Sequence, residues 1–473
     1  MNDKLIKNMD VLIEGNLIKQ ISKEPLVIAQ IENNTLIDGK EMNKPIITES
    51  ILCSVSSYVA VLLFILLTTT VQAQSEKNQD TTKVRDLSSP AAVGKQLESD
   101  KRSYGPKLDW YFLDSLDLAK ERFYKKTGFK ANLDYNSQIM GATDAVGNNV
   151  GASGVLRLYG KYDFVGRGTP YQGGLVFKIE HRHKYTENAL REYGPIDLGY
   201  AGFLQSTYNN QGFRVTNLYW RQTFATDKVV LYAGFVDVTD WTDVYAVASP
   251  WTSFNNLVFA TGSGSTGGAF PDGSLGLMVN AWLSKDIYVI GGMIDANGDA
   301  TQIGKGFDTF FNKFETLKTL EFGYTPSIDY AFLKNVHVTL WQVDERVEAQ
   351  TSSGWGISGT VSWALDDQAK FLPFIRGGWA KDGGSFYDAS VSIGMAYNIA
   401  GPNTLGIGLN WNSPNADTFG VELDDQFSSE IFYKFNLTDH FEVTPNLQLL
   451  VNPALNPNSN FIAVFGLRGR IFI

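Results

Sequence analysis

From Gly128 to the end of the chain, apolar and polar residues alternate with a period of two in one segment after another. Phe129, Ala131, Leu133 and Tyr135 alternate with Lys130, Asn132, Asp134 and Asn136. Leu156, Leu158, Gly160 and Tyr162 alternate with Arg157, Tyr159, Lys161 and Asp163, and Leu175, Phe177 and Ile179 with Val176, Lys178, Glu180 and Arg182. Successive side chains of a strand point to opposite faces, so each stretch predicts a strand with one apolar and one polar side. The same texture returns at Trp355–Leu365, Tyr387–Asn398, Phe427–Phe435 and Phe461–Ile473, and sixteen candidate strands emerge in all. Ile287–Ile294 is apolar on both faces, and its register cannot be read from the pattern.

The connections alternate as well. Short ones fall at Ala225–Asp227, Ser284–Asp286, Asp366–Lys370, Ala400–Thr404 and Asn436–His440; long ones fall at Lys184–Gly212, Asp237–Gly273, Ala296–Leu317 and Asn412–Asp425. Val165–Gln172 and Thr325–Lys334 are long for turns, and Ala380–Ser385 is short for a loop. Short turns on one side, long loops on the other, an even strand count and apolar outward residues predict an all-β transmembrane antiparallel barrel. A soluble propeller would show a recurring motif at a period near 40 residues, and none is present. Sandwich strands run shorter than the roughly 9–11 residues of a tilted membrane strand. The longest loop, Asp237–Gly273, is rich in aromatics, Asp, Gly and Ser. A loop of that length is either functional or disordered, and its aromatic content favours an ordered loop folded into the lumen. Deleting its Gly/Ser-rich tip, Thr261–Ala269, is therefore expected to raise conductance.

Ahead of the strands the pattern changes. Met42–Ala73 has a Lys near its start, an apolar run at Tyr58–Leu67 and Val71-Gln72-Ala73 before Gln74, the layout of a cleaved signal peptide. The apolar run is short for a membrane anchor. Residues 1–41 have no place before such a signal and are read as a gene-start artefact. The division expected is 1–41 artefact, 42–73 signal peptide, 74–127 N-terminal tether and short helix, and 128–473 barrel. Gln74–Gly105 is polar and reads as a mobile tether. Leu108–Lys126 has helical spacing at Leu113, Leu116, Leu118 and Phe123. It is expected near the barrel mouth, with an interfacial amphipathic helix as the alternative.

Composition adds constraints. Aromatics make up 13% and there are 45 glycines, which suits strands and tight turns. A net charge of −10 offers no general attraction for nucleic acid. The one cysteine, Cys53, would leave with the signal, so no disulfide is expected in the mature chain.

Several stretches resemble the OprB family of carbohydrate-selective porins. They are GLVFKIEHR at Gly174–Arg182, LYWRQTF at Leu218–Phe224, FVDVTDWTDVYAVASPWTSF at Phe235–Phe254, GGMIDANGD at Gly291–Asp299, and the end of the chain from Phe432. The resemblance runs from about Gly128 to Ile473. It does not reach the first 127 residues, and the chain ends Phe472-Ile473 where the family typically has a terminal aromatic. It implies a sixteen-stranded porin in the outer membrane of a Gram-negative bacterium, with loops narrowing a sugar pathway. The partners expected are small sugars, outer-membrane lipid and lipopolysaccharide, and the barrel-assembly machinery, in a monomer or trimer.

Strict alternation puts Lys130, Arg157, Lys161, Lys178, Arg182, Arg221, Arg376, Lys434, Arg468 and Arg470 on the lumenal face. The acids Asp134, Asp163, Glu180, Glu321, Asp388 and Glu430 share it. A wall of mixed sign suits a neutral, hydroxyl-rich solute, because carboxylates accept and guanidinium groups donate hydrogen bonds; phosphate uptake would call for a concentrated cationic ladder. Within this wall Glu180, Arg182 and Arg221 are the candidate sugar-binding charges. Trp241, Tyr245, Trp251 and Phe254 of the long loop offer flat faces for a pyranose, with Trp241 and Trp251 the candidates, although at least half of these rings are expected to brace the loop. Asp295–Asp299 resembles the start of a calcium loop, but position 306 is Gly, so a tight turn is the better reading and no metal or cofactor is expected. His181 and His183 share one face of a strand, while His337 and His440 stand isolated in the sequence. Gly262-Ser263-Gly264-Ser265 lacks the strand-turn-helix setting of a nucleophile elbow. A passive sugar channel is thus the reading, with a general diffusion pore and a barrel-embedded hydrolase as alternatives.

Overall fold

The computed structural model describes residues 87–100, 111–224, 228–260, 267, 269–328, 331–366, 368–400 and 403–473. It also describes three short strands, Asp10–Glu14, Leu17–Ser22 and Asn34–Ile37. The chain divides into two compact units, 1–81 and 82–473. In the first, the three short strands form one antiparallel sheet with Asp10–Glu14 in the centre. The expected signal segment 42–73, Cys53 and most of the loop tip 261–269 lie outside the described residues.

In the second unit the period-two pattern becomes one closed sheet. Its strands are β1 (Phe129–Ala142), β2 (Val150–Val165), β3 (Gly173–Lys184), β4 (Gly212–Phe224), β5 (Val229–Val236), β6 (Ser274–Trp282), β7 (Ile287–Asp295) and β8 (Thr316–Tyr324). They continue as β9 (Lys334–Val343), β10 (Gly354–Trp363), β11 (Phe371–Asp382), β12 (Tyr387–Ala400), β13 (Asn403–Pro414), β14 (Gln426–Thr438), β15 (Phe441–Val451) and β16 (Phe461–Phe472). Each strand pairs antiparallel with its sequence neighbours, and β16 closes on β1 with Ile471 opposite Tyr135. Closure removes the free edges and pairs the backbone within the sheet, the condition for crossing a hydrocarbon layer with strands.

Register follows the expected faces. Lys130, Asn132, Asp134 and Asn136 are buried toward the interior, while Leu133, Tyr135, Leu156, Leu158 and Tyr162 face outward. Aromatic pairs girdle the turn side, as in Phe129 on Phe177, Phe371 on Tyr397 and Tyr324 on Trp363, and Trp355 meets Trp379 on the loop side. Such paired belts mark the two interfaces of an outer-membrane barrel. The connections 166–172 and 325–333 lie on the turn side despite their length, and 383–386 lies on the loop side despite its shortness.

Two local departures from alternation matter. A bulge between β3 and β4 skips Thr216 in the pairing register, since Lys178 pairs with Asn217 and Ile179 with Val215. A second, at Tyr387/Ala389 in β12, sets Asp388 against the Asn415 amide of the seventh loop at 2.7 Å instead of among the lumenal charges.

Ahead of the barrel lie α1 (Val93–Ser99) and α2 (Tyr111–Thr127). Helix α2 matches the expected Leu108–Lys126 segment. It sits at the turn-side mouth, where Lys120 donates to Asn132 and Tyr124 to Asp163. Residues 87–100 were expected in a mobile tether; instead they pack inside the barrel, with Leu87, Val93 and Leu97 almost fully buried.

A closed ladder of this kind is expected to make the protein heat-modifiable. Boiled and unboiled samples should migrate differently on a detergent gel, and equal migration combined with solubility in plain buffer would contradict the barrel.

Candidate functional site

The third loop, 237–273, leaves β5 and crosses the lumen. Asp237 starts it by accepting from the Thr239 amide at 3.1 Å, and Trp241 then wedges between Tyr219 and Tyr232, inward residues of β4 and β5. Beyond it, Asp243 takes a left-handed backbone conformation (φ 52°), which Asp tolerates better than most side chains. This turn aims Asp243 at the far wall. Its carboxylate meets the Arg376 guanidinium, His337 Nε2 at 3.0 Å and the Thr360 hydroxyl at 2.7 Å. Its amide donates to Glu321 at 2.7 Å. Burial alone would raise the Asp243 carboxyl; Arg376 and His337 outweigh it and hold the pKa at about 2.

The loop's second half is fastened to the remaining wall. Arg376 donates to the carbonyl oxygens of Phe259 and Ala260, and Ser392 to that of Val258. Glu430 accepts from the Asn255 and Asn256 amides at 2.9 Å each, and Arg468 donates to the carbonyls of Pro250 and Ser253. The second loop lies alongside: Gln205 bridges Gln138 and Asn255, and the Leu257 amide donates to Phe203. Loops two and three therefore occupy the interior as one hydrogen-bonded body.

Where these loops meet β3 and β4, cationic groups converge on one carboxylate. Asp272 lies 2.6 Å from Arg214, 3.1 Å from Arg182 and 3.7 Å from Arg191. Behind it Arg182 grips Glu180 at 2.6 Å, with Arg214 at 3.8 Å. Burial would raise Asp272, but the guanidinium groups of Arg182, Arg214 and Arg191 outweigh it and hold the carboxyl well below the usual range. Asp272 keeps 33% of its side chain exposed, whereas Arg182 keeps 2%, so the carboxylate is the accessible member.

The structure brings Glu180 and Arg182 together and separates Arg221 from them. Arg221 sits opposite Gly174 near the turn end of β4 and pairs with Asp163 at 3.1 Å. Trp241 braces the loop. Trp251 is buried, with the Arg157 guanidinium 3.9 Å over its ring, so that face is already covered. Tyr245 and Phe254 are buried too, against Phe374, Phe259 and Phe432. Sequence reasoning missed Arg214. Seven residues before Arg221, it should face outward under strict alternation, and the bulge at Thr216 restores it to the lumen. His337, isolated in the sequence, is part of the Asp243 hub. Asp295 accepts from the Asn297 amide at 3.1 Å and from the Thr309 hydroxyl, and Asp299 accepts from the Thr301 amide, a hydrogen-bonded turn. His181 and His183 point outward beside Tyr135.

A structure of OprB from Pseudomonas putida superposes with a TM-score of 0.60 at 15% identity, covering 76% of this chain and 97% of that one. A Rhodopseudomonas blastica porin mutant matches at 12% identity and a TM-score of 0.44, covering 73% and 100% of the two chains. A loop-deleted OmpT of Vibrio cholerae matches at 12% identity and 0.45, covering 73% and 99%. No curated protein matches significantly. Residues 166–471 match the family described as carbohydrate-selective porin, OprB family. That match falls on a closed sixteen-stranded barrel with loops folded into its lumen, and the chain belongs to the OprB family, the sugar-passing porins of the Gram-negative outer membrane.

Proposed function

We propose that this porin passes mono- and small oligosaccharides by passive diffusion and selects them at the cluster formed by Glu180, Arg182, Arg191, Arg214 and Asp272. The observation that carries the reading is the partly exposed Asp272 carboxylate framed by three guanidinium groups. Acceptor and donors side by side match adjacent hydroxyls of a neutral solute. Arg221, Trp241 and Trp251 then serve the wall and the loop. Swelling of proteoliposomes tests the reading: sugars should enter faster than amino acids of matched size. Equal rates would mean a general diffusion pore.

The channel works without catalysis in this reading. His337, the histidine best placed for a triad, bonds Asn335 through Nδ1 and Asp243 through Nε2, so neither ring nitrogen is turned to a serine. Ester or glycoside turnover lost on substituting one serine or carboxylate would favour the hydrolase. We further propose cleavage before Gln74, with 1–41 not made; recovery of peptides from 1–41 would refute the second part. Lipopolysaccharide as the outer lipid, delivery by the barrel-assembly machinery, and a monomeric or trimeric state complete the proposal.

A further inference from the structure

Part of the inward face of β5 to β9 is apolar. Val230, Tyr232, Met278, Tyr288, Ile290, Ile294, Leu317 and Trp341 form one buried cluster with Trp241 of the third loop. Glycines across the sheet make room for the largest of them. A Cβ on Gly323 would stand 2.0 Å from the Tyr288 ring, and one on Gly356 2.4 Å from that of Trp341. Such a surface needs a dry cover, because exposing it to pore water forfeits the burial that stabilises it. Part of that cover comes from the chain before the barrel: Leu87, Val93 and Leu97 belong to the same cluster.

Polar contacts fix this segment at both ends. The Ser89 amide donates to the Asp240 carbonyl of the third loop at 2.6 Å. At the other end Asp100, the residue closing α1, accepts from Arg470 at 2.9 Å, from Asn132 at 3.0 Å and from the Tyr159 hydroxyl. Lys130 donates to the Leu97 carbonyl at 3.0 Å. The wall groups come from β1, β2 and β16, so the segment is clamped across the seam where the barrel closes.

We infer that residues 87–100 form an internal plug that sets the bore of the channel together with the third loop, with Asp100 as its clamp. The segment precedes the family match at 166–471 and is no part of that assignment. The inference rests on the channel reading but not on the sugar site. Removing the clamp spares the wall, because Arg470 keeps Asp134 at 2.7 Å and Glu442 at 3.5 Å.

Two measurements on the full chain test it, neither involving sugar. In a Cys53→Ser background, Val93→Cys should react with a membrane-impermeant thiol reagent at least about 100-fold more slowly than an exposed cysteine. Adding Asp100→Ala should release that protection and raise salt conductance at least about twofold. Rapid labelling of Val93→Cys with Asp100 intact would overturn the plug. A folded Asp100→Ala barrel with unchanged conductance and a still-protected thiol would overturn the clamp. Should Asp100→Ala fail to fold, labelling of Val93→Cys alone decides.

Discussion

Asp243→Asn should raise single-channel conductance and lower the temperature at which the heat-modified band appears. Asparagine tolerates the left-handed backbone at this position, so the substitution removes charge and leaves the turn its conformational freedom. What it removes is the only carboxylate in contact with Arg376 among the described ion pairs. Breaking a buried pair by deleting one partner costs about 3–5 kcal/mol, because the other charge stays desolvated. Arg376 also holds the carbonyls of Phe259 and Ala260, so its displacement frees the far limb of the third loop from the wall. Acid should act the same way with a definite sign. The folded carboxyl, at about 2, lies below its ordinary value of 3.8. Its contribution is therefore complete above pH 3.8 and is lost as pH falls through about 2. Wild-type conductance should stay low at pH 4 and rise only toward pH 2, while Asp243→Asn should already be high at pH 7. A folded Asp243→Asn channel with wild-type conductance would show that the hub does not hold the loop.

Arg182→Ala should weaken sugar blockade by one or two orders of magnitude while leaving an open, folded channel. A charge-assisted hydrogen bond contributes about 1.5–3 kcal/mol, and each 1.4 kcal/mol is about tenfold in affinity. The barrel should survive because each carboxylate keeps a guanidinium within 4 Å. Asp272 keeps Arg214 at 2.6 Å and Arg191 at 3.7 Å, and Glu180 keeps Arg214 at 3.8 Å. Arg221→Ala is the informative companion, since it breaks a pair with Asp163 near the turn end of β4. Its effect on blockade should be much the smaller. Unaltered blockade in Arg182→Ala would return the cluster to the role of a braced wall. Equal losses in both variants would place the selecting groups elsewhere.

The fold was legible in the sequence because its signal is local. Alternation is written into neighbouring residues, and the contrast of short turns with long loops places each strand end, so strand count, outward faces and the long loop all followed from pattern alone. That Glu180 and Arg182 share a face followed equally, since two residues on one strand need no tertiary information to point the same way.

Three things were decided only by the closed barrel. One extra residue, Thr216, reverses the parity of the strand behind it, and so Arg214 joins Glu180 while Arg221 is left with Asp163. The double-sided apolarity of Ile287–Ile294, unreadable as a pattern, comes from an interior that is dry on that side, where Tyr288, Ile290 and Ile294 meet the third loop and the plug. The partners of the Asp243 carboxylate come from three different strands, far along the chain, and become neighbours only when the loop crosses the lumen. The period-two code records which way each side chain faces; it carries no information about what stands opposite, and in this porin the opposite side is filled by the chain's own loops and N-terminal segment.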